Sequence, residues 1–367
     1  MKKVLFVATV AKKHIMEFHI PYLKLFKEHE WETAVAARND FENRDECVIP
    51  YSDTYYDVPF ERSPFKASNI AAYKELKKII CEGSYDIIHC HTPVGALLTR
   101  FAARSVRKRG THVVYTAHGF HFFKGAPLLN WIVYFPVEWV CSFLTDILIT
   151  INQEDYLFAK KHMHAKQIEY VPGVGIDLHK FESAHTDAGT LRKLFHIPED
   201  GLWVLNVGEL IQRKNQESLI RAIKDVPNVY LTIAGSGDLY GRLSTIVESL
   251  ELGKRVKLLG YRNDIPELCQ AADVFALPSL QEGLPVAIME AMACKKPIIC
   301  SSIRGNTDLV DDKGGVLFDP HNVDDIRSAL EEIMGRDKVA MGQYNAEKIK
   351  KYELPVVINR MEKLYGL

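Results

Sequence analysis

Two carboxylates bracket an apolar run in "EGLPVAIME": Glu282 leads it and Glu290 closes it. Pro285 suits a first helical position, where a missing N–H leaves nothing unpaired. From there Val286, Ala287, Ile288, Met289, Ala291, Met292 and Ala293 predict a helix that is apolar nearly all round. Such a helix is buried, so Glu290 has no solvated face, and its carboxylate needs donors from the protein or from a ligand. Glu282 sits in the loop before the helix and, taken alone, reads equally well as a solvated acid. At a rise of ~1.5 Å per residue the two acids are expected on the order of 10 Å apart. That exceeds the ~5 Å of a retaining-glycosidase pair. The spacing suits two grips on one extended ligand.

Other chemistry-bearing residues fall just after apolar runs. "GELIQRKNQ" places Arg213 and Lys214 between a strand and a helix, where two cations and helix N–H donors suit a diphosphate. "VYLTIAGSGDLYG" resembles a dinucleotide fingerprint, but Gly235, Gly237 and Gly241 are spaced G-x-G-x-x-x-G, which leaves a tight turn and no dehydrogenase signature. "HVVYTAHGFHFF" ends a strand at His118, with His121 beyond, so His118 is a candidate for touching substrate. "DIIHCH" puts His89 and His91 on one strand face. No third metal ligand follows at a sensible spacing, and no D-x-D motif is present to hold a metal on a sugar nucleotide. The expectation is no metal and no cofactor.

These residues require elements to carry them. Val/Ile-rich runs ("VLFVATV", "ETAVAA", "YDIIHCH", "HVVYTAH", "TDILITIN", "IEYVPG") alternate with helical patterns. After the polar stretch "HKFESAHTDAGT" the alternation restarts with "LWVLNVG", "VYLTIAG", "RVKLLG", "ADVFALP" and "KPIICS", and helical patterns over 323–335 and 338–365 finish the chain. Residues 39–67 read as irregular. This is the pattern of parallel sheets covered on both faces. At 367 residues two cores are expected, with ligands at the carboxyl ends of the strands. The fold class is α/β, two doubly wound domains with a cleft between them, split at 1–182 and 183–351.

A formal charge of −1 gives no whole-chain attraction to nucleic acid. Seven scattered cysteines without a C-x-x-C pair suit a reducing compartment. "MKKVLFVATVAKKH" reads as a first strand, not a leader. "LLNWIVYFPVEWVCSFL", residues 128–144, is interrupted by Pro136 and Glu138 and is shorter than the ~20 apolar residues of a membrane span. It reads as a broad-faced amphipathic helix.

Together, "EGLPVAIME", "AMACKKPIICS", "ADVFALPS", "GELIQRKN" and "IAGSGD" resemble glycosyltransferase family four, with its GT-B fold of two facing Rossmann-like domains. "FHIPYLK", "YTAHGFHFFKGAPLLNWIVYFPVEW" and "YVPGVGIDLHKF" resemble a bacterial subgroup that builds capsule and exopolysaccharide on undecaprenyl diphosphate. The resemblance implies a retaining, metal-independent transferase. It would move a sugar from a UDP-sugar, an N-acetylated hexosamine or 6-deoxy form, to a polyprenyl-diphosphate-linked sugar. Glu282 would bind the donor sugar and Glu290 the ribose hydroxyls, with Gly237, Arg262, Gly283, Leu284 and Val286 completing the donor site. Arg213 and Lys214 would neutralise the leaving diphosphate, and His118 would contact the transferred sugar. His14, His19 and His121 are the acceptor candidates, and a last helix over about 352–367 would pack back on the N-terminal domain.

Two departures stand out. Gly208-Glu209-Leu210 replaces the family's Gly-Arg-Leu, so Arg213 is expected to stand in for the missing arginine, and the usual Gly-Gly turn after the first strand is absent. A lipid-linked acceptor requires a membrane surface at the inner face of the cell membrane. In "RFAARSVRKRG", Arg100, Arg104 and Arg107 recur at helical spacing, with Lys108 and Arg109 adjoining, as a patch for an anionic leaflet. Two other functions fit the same residues: a UDP-sugar epimerase and a non-catalytic nucleotide-sugar-binding partner of a capsule assembly complex.

Overall fold

Uninterrupted apolar runs form strands here because both faces of each sheet are covered by helices. The first strand is buried from Val4 to Val10 without alternation. The computed structural model describes residues 1–61, 63, 66–182 and 186–367. Seven strands make the first sheet: β1 (Lys3–Val10), β2 (Glu32–Arg38), β3 (Thr54–Asp57), β4 (Ile87–His91), β5 (His112–Ala117), β6 (Ile147–Thr150) and β7 (Gln167–Tyr170). Their order is β3-β2-β1-β4-β5-β6-β7, and every pairing is parallel. The second sheet holds β8 (Leu202–Val207), β9 (Val229–Ala234), β10 (Val256–Gly260), β11 (Val274–Leu277), β12 (Ile298–Ser301) and β13 (Gly315–Phe318). It is also all parallel, in the order β10-β9-β8-β11-β12-β13. Both sheets are Rossmann-like.

The chain divides into Met1–Gly175 with Pro355–Leu367, and Ile176–Leu354. The division thus falls at Gly175–Ile176, not at 182–183, and residues 183–185 of the polar stretch lie outside the described residues. Two strands form where the sequence pattern gave none. β3 emerges from the irregular stretch 39–67, and β13 begins on the second member of a Gly-Gly pair, which has no room for a side chain: a Cβ on Gly315 would lie 2.3 Å from the Ile298 carbonyl oxygen. Pro136 does not end its helix, which runs Leu128–Ser142. The single helical pattern over 338–365 is broken into Lys338–Ile349, a 3-10 turn at Lys350–Tyr352, and Leu354–Tyr365. That last helix buries Val357, Met361 and Tyr365 with residues of β1 and helix Ile20–Glu28.

Each sheet has one point where strand order reverses, between β1 and β4 and between β8 and β11. The loops leaving those neighbours diverge to opposite faces and open a crevice at the carboxyl ends. These loops carry His14, His19, Arg213, Lys214, Glu282, Gly283 and Leu284, whereas His118 and His121 follow β5, Gly237 follows β9 and Arg262 follows β10.

Candidate functional site

In the C-terminal unit the loops after β8 and β11 are tied together. The Leu280 N–H donates to the Arg213 carbonyl at 2.7 Å. Asn215 takes the left-handed conformation (φ 55°), and its side-chain amide donates to the carbonyls of Pro278 at 3.1 Å and Pro320 at 2.9 Å. Those ties aim the preceding Lys214 inward. Its Nζ lies 2.6 Å from Oε1 of Glu282, whose side chain is 7% exposed, and Arg213 approaches the other oxygen at 3.6 Å. The solvated reading of Glu282 is therefore corrected: the acid is buried because two cations accompany it. Arg213 also lies 3.8 Å from Glu209.

Glu290 lies on helix Val286–Ala293. Burial pushes its carboxyl up to about 7, and Lys180 offsets only part of this. Gly283 and Val286 are half-buried and Leu284 is buried. Gly283 is fixed by close backbone contact, since a Cβ on Gly305 (φ 78°) would come within 2.3 Å of its carbonyl oxygen. Gly237 packs in a similar way on the loop after β8: a Cβ there would lie 2.5 Å from the Leu210 carbonyl oxygen. The immediate need for glycine is thus loop-to-loop packing. Arg262 follows β10 and forks onto Asp264 of its own loop, with Nε 2.8 Å from Oδ1.

In the N-terminal unit, four histidines converge at the carboxyl ends of β1, β4 and β5. His14 lies on the π-helical turn Ala11–Met16, His19 precedes helix Ile20–Glu28, His91 ends β4 and His118 follows β5. One ring nitrogen of each lies within 4.8 Å of all the others. His19 stacks on His91 with centroids 3.8 Å apart, and His118 Nε2 is 3.3 Å from His91 Nδ1. Burial holds His118 down at about 4 and His19 and His91 well below the usual imidazole range. His89 stands apart: Nδ1 meets the Tyr365 hydroxyl at 2.6 Å and Nε2 the Thr116 hydroxyl at 2.8 Å. His89 is a saturated core histidine, and His91 joins three rings that sequence spacing could not bring to it.

His14 and His121 line one cavity of about 430 Å³, walled by Val10, Leu97, Tyr134 and Val137 among others. Thr92, at its rim, was given no role by sequence reasoning. It holds φ 62° and ψ 146°. Pro93 favours that ψ, but a positive φ on a β-branched residue is strained. Its hydroxyl is held by the Thr9 N–H at 3.1 Å and the Thr9 hydroxyl at 2.6 Å. The "HTP" tripeptide before a helix was the signal available.

The basic patch is smaller than its spacing predicted. Arg100 is 1% exposed, bonds both oxygens of Glu138 at 2.8 and 3.1 Å, and lies 4.2 Å from the Tyr115 ring centroid. Arg107 is half-buried on Asp146 at 2.9 Å and the Phe143 carbonyl at 2.8 Å. The first helix stops at Ala102 and a second begins at Arg104, so the three arginines share no continuous face. Arg104, Lys108 and Arg109 are exposed. Helix Leu128–Ser142 turns its one acid, Glu138, inward to Arg100 and exposes Leu128, Leu129, Ile132, Trp139 and Val140. Among the described residues no helix is long and apolar enough to cross a membrane.

Comparison with known proteins extends this geometry. The family described as "Glycosyl transferase 4-like" matches residues 3–152, and "Glycosyl transferases group 1" matches residues 188–349. The chain is 41% identical over 324 residues to "Putative glycosyltransferase EpsD" of Bacillus subtilis, covering 86% of this chain and 83% of that protein. It is 31% identical over 328 residues to the Escherichia coli UDP-Gal:alpha-D-GlcNAc-diphosphoundecaprenol alpha-1,3-galactosyltransferase, covering 81% and 84%. The crystal structure of Anabaena HepE, in complex with UDP and glucose, shares the fold with a TM-score of 0.80 at 20% identity, covering 100% of both chains.

Proposed function

Because this chain belongs to the group 1 and 4-like glycosyltransferases, with their GT-B fold, we propose that it is a retaining transferase using a UDP-sugar donor. The acceptor in this reading is a polyprenyl-diphosphate-linked sugar of capsule or exopolysaccharide synthesis. The observation that carries the donor half is the Lys214–Glu282 contact of 2.6 Å with Arg213 beside it, at the β8/β11 switch point. A carboxylate and two cations held by one loop pair suit a ligand with hydroxyls at one end and a diphosphate at the other. Leaving-group charge is met by Arg213 and Lys214, preorganised dipoles and cations in place of a metal on the diphosphate. Glu290, raised to about 7, accepts from ribose hydroxyls, and His118 contacts the transferred sugar.

UDP as the nucleotide is supported by the name of the E. coli relative and by the HepE complex. The polyprenyl carrier is supported by the former and by the cavity beside His14 and His121. The N-acetylated or 6-deoxy sugar rests on the subgroup resemblance alone. Peripheral contact with an anionic leaflet is supported by Arg104, Lys108, Arg109 and the exposed apolar helix. A nucleotide panel read by melting temperature tests the donor half, since a bound ligand stabilises by mass action. UDP and UDP-sugars should raise the melting temperature, and transfer to an undecaprenyl-diphosphate sugar should follow. If no nucleotide diphosphate shifts it, the donor reading fails. Binding without transfer to any lipid-linked sugar would favour a silent binding partner.

A further inference from the structure

We propose that His14, His19, His91 and His118 together bind a divalent transition-metal ion of the zinc class at the carboxyl ends of β1, β4 and β5. The proposal goes beyond the transferase reading and does not rest on it. Four imidazoles from three chain segments, with one nitrogen of each within 4.8 Å of the rest, form a donor set of the right number and kind. Imidazole nitrogen selects zinc, copper or nickel over magnesium and calcium, which need oxygen ligands. Tetrahedral ligands about 2.0–2.1 Å from zinc stand roughly 3.3 Å from one another. The His91–His118 nitrogens already do so at 3.3 Å, and the other pairs close from at most 4.8 Å.

Two observations point to an occupant. His19 is 1% exposed, and both of its ring nitrogens lack a hydrogen-bond partner. Buried polar atoms in native proteins are almost always satisfied. Next to them lies a void of about 10 Å³ lined by His19, His91, His118 and Tyr22, the size of one small species. The second observation is the backbone. The turn Ala11–Met16 is π-helical, a form that recurs at functional sites, and it sets His14 beside His19 with ring centroids 4.9 Å apart. Burial lowers the pKa of His19, His91 and His118, which favours the neutral, ligating form. His89 is excluded because both its nitrogens are engaged.

A buried water is the rival occupant, and the experiment separates the two. The full chain, made without a polyhistidine tag, is stripped with chelator, loaded with zinc or cobalt(II) and dialysed. The expected result is one metal per chain by elemental analysis, a dissociation constant below about 1 μM, the intense visible absorption of four-coordinate cobalt, and a higher melting temperature with zinc. His19→Gln and His91→Gln should weaken retention at least about tenfold, whereas the exposed His112→Gln should leave it unchanged. If the buried variants fail to fold, His14→Gln and His118→Gln at the open edge supply the same readout. Wild-type protein that keeps no metal and gives no cobalt colour overturns the proposal. So does retention that is equal in the His14 and His118 variants. None of these readouts involves sugar transfer, so loss of the metal site and loss of the transferase reading are distinguishable.

Discussion

Lys214 has two tasks: it neutralises Glu282 at 2.6 Å and, in the proposed function, meets the leaving diphosphate. Lys214→Ala should lower turnover by ~10² or more, the usual cost of a lost transition-state charge contact. It should also destabilise the ligand-free protein, because the buried Glu282 keeps only Arg213, at 3.6 Å, at a cost of up to about 3 kcal/mol. Melting temperature and kcat measured on the same sample separate the two losses, and an unchanged kcat would remove the phosphate assignment. Glu290 gives a prediction in pH. Its carboxyl is raised from 4.5 to about 7, so between those values the native state binds more protons than the unfolded state. Glu290 therefore contributes stability below pH ~4.5 that is lost as pH rises through ~7. Glu290→Gln should stabilise the ligand-free protein at pH 8, by on the order of 1–2 kcal/mol after allowing for partial exposure. Ribose hydroxyls donate to the ionised form, so UDP binding should release a proton and tighten from pH 6 to 8, and calorimetry in buffers of different ionisation enthalpy reads this directly. The burial around Glu290 was legible because its neighbours in sequence are its neighbours in space. The burial of Glu282 was not, because Lys214 comes from a loop 68 positions away. Arg100 was misplaced for the same reason: helical period finds a face, but its partner Glu138 lies 38 positions on.

Among the elements, helix Leu128–Ser142 is the one whose exposed side conflicts with water. Leu128, Leu129 and Ile132 are 74%, 68% and 63% exposed, while the only acid in the helix faces Arg100. An apolar stripe without a charged rim of its own suits the headgroup boundary, with Arg104, Lys108 and Arg109 as the basic complement. Leu129→Ser with Ile132→Ser should abolish co-sedimentation with vesicles rich in anionic lipid. Charge reversal at Arg104, Lys108 and Arg109 should reduce it several-fold at low salt, each cation near the surface being worth about 1 kcal/mol. Vesicle binding that survives the serine pair would assign the helix to another partner. Most elements were legible because strand runs and helical periods are long and regular. β3 and β13 were not: β6, β7, β11 and β12 also have four residues, but Asp53, Asp57 and the Gly314-Gly315 pair at the ends of β3 and β13 read as turns. Their strand character comes from pairing with β2 and β12 more than from their own composition.

For the whole chain, the decisive feature is that the last residues complete the first unit. Pro355–Leu367 belongs with Met1–Gly175, and local pattern alone gave no sign of it, since 338–365 reads as one helical stretch until the turn at Lys350–Tyr352 interrupts it. Val357, Met361 and Tyr365 are 0%, 2% and 7% exposed, and the Tyr365 hydroxyl closes on His89 Nδ1 at 2.6 Å. Each such side chain contributes about 1.5–3 kcal/mol on burial. Three of them, roughly 5–9 kcal/mol, rival the whole stability of an ordinary domain. A chain ending at Glu353 should therefore keep the amide-exchange protection of β8, β9, β11 and β12 and lose that of β1, β4 and β5. Tyr365→Phe is the milder version. It removes one partner of a buried imidazole, should cost about 1–3 kcal/mol, and should lower the melting of the first unit while leaving the second unchanged. Because His89 adjoins His91 on the same strand, with ring centroids 4.1 Å apart, both changes should also loosen the histidine cluster. Full protection of β1 and β4 in the truncated chain would instead mean that the N-terminal core closes without its C-terminal helix.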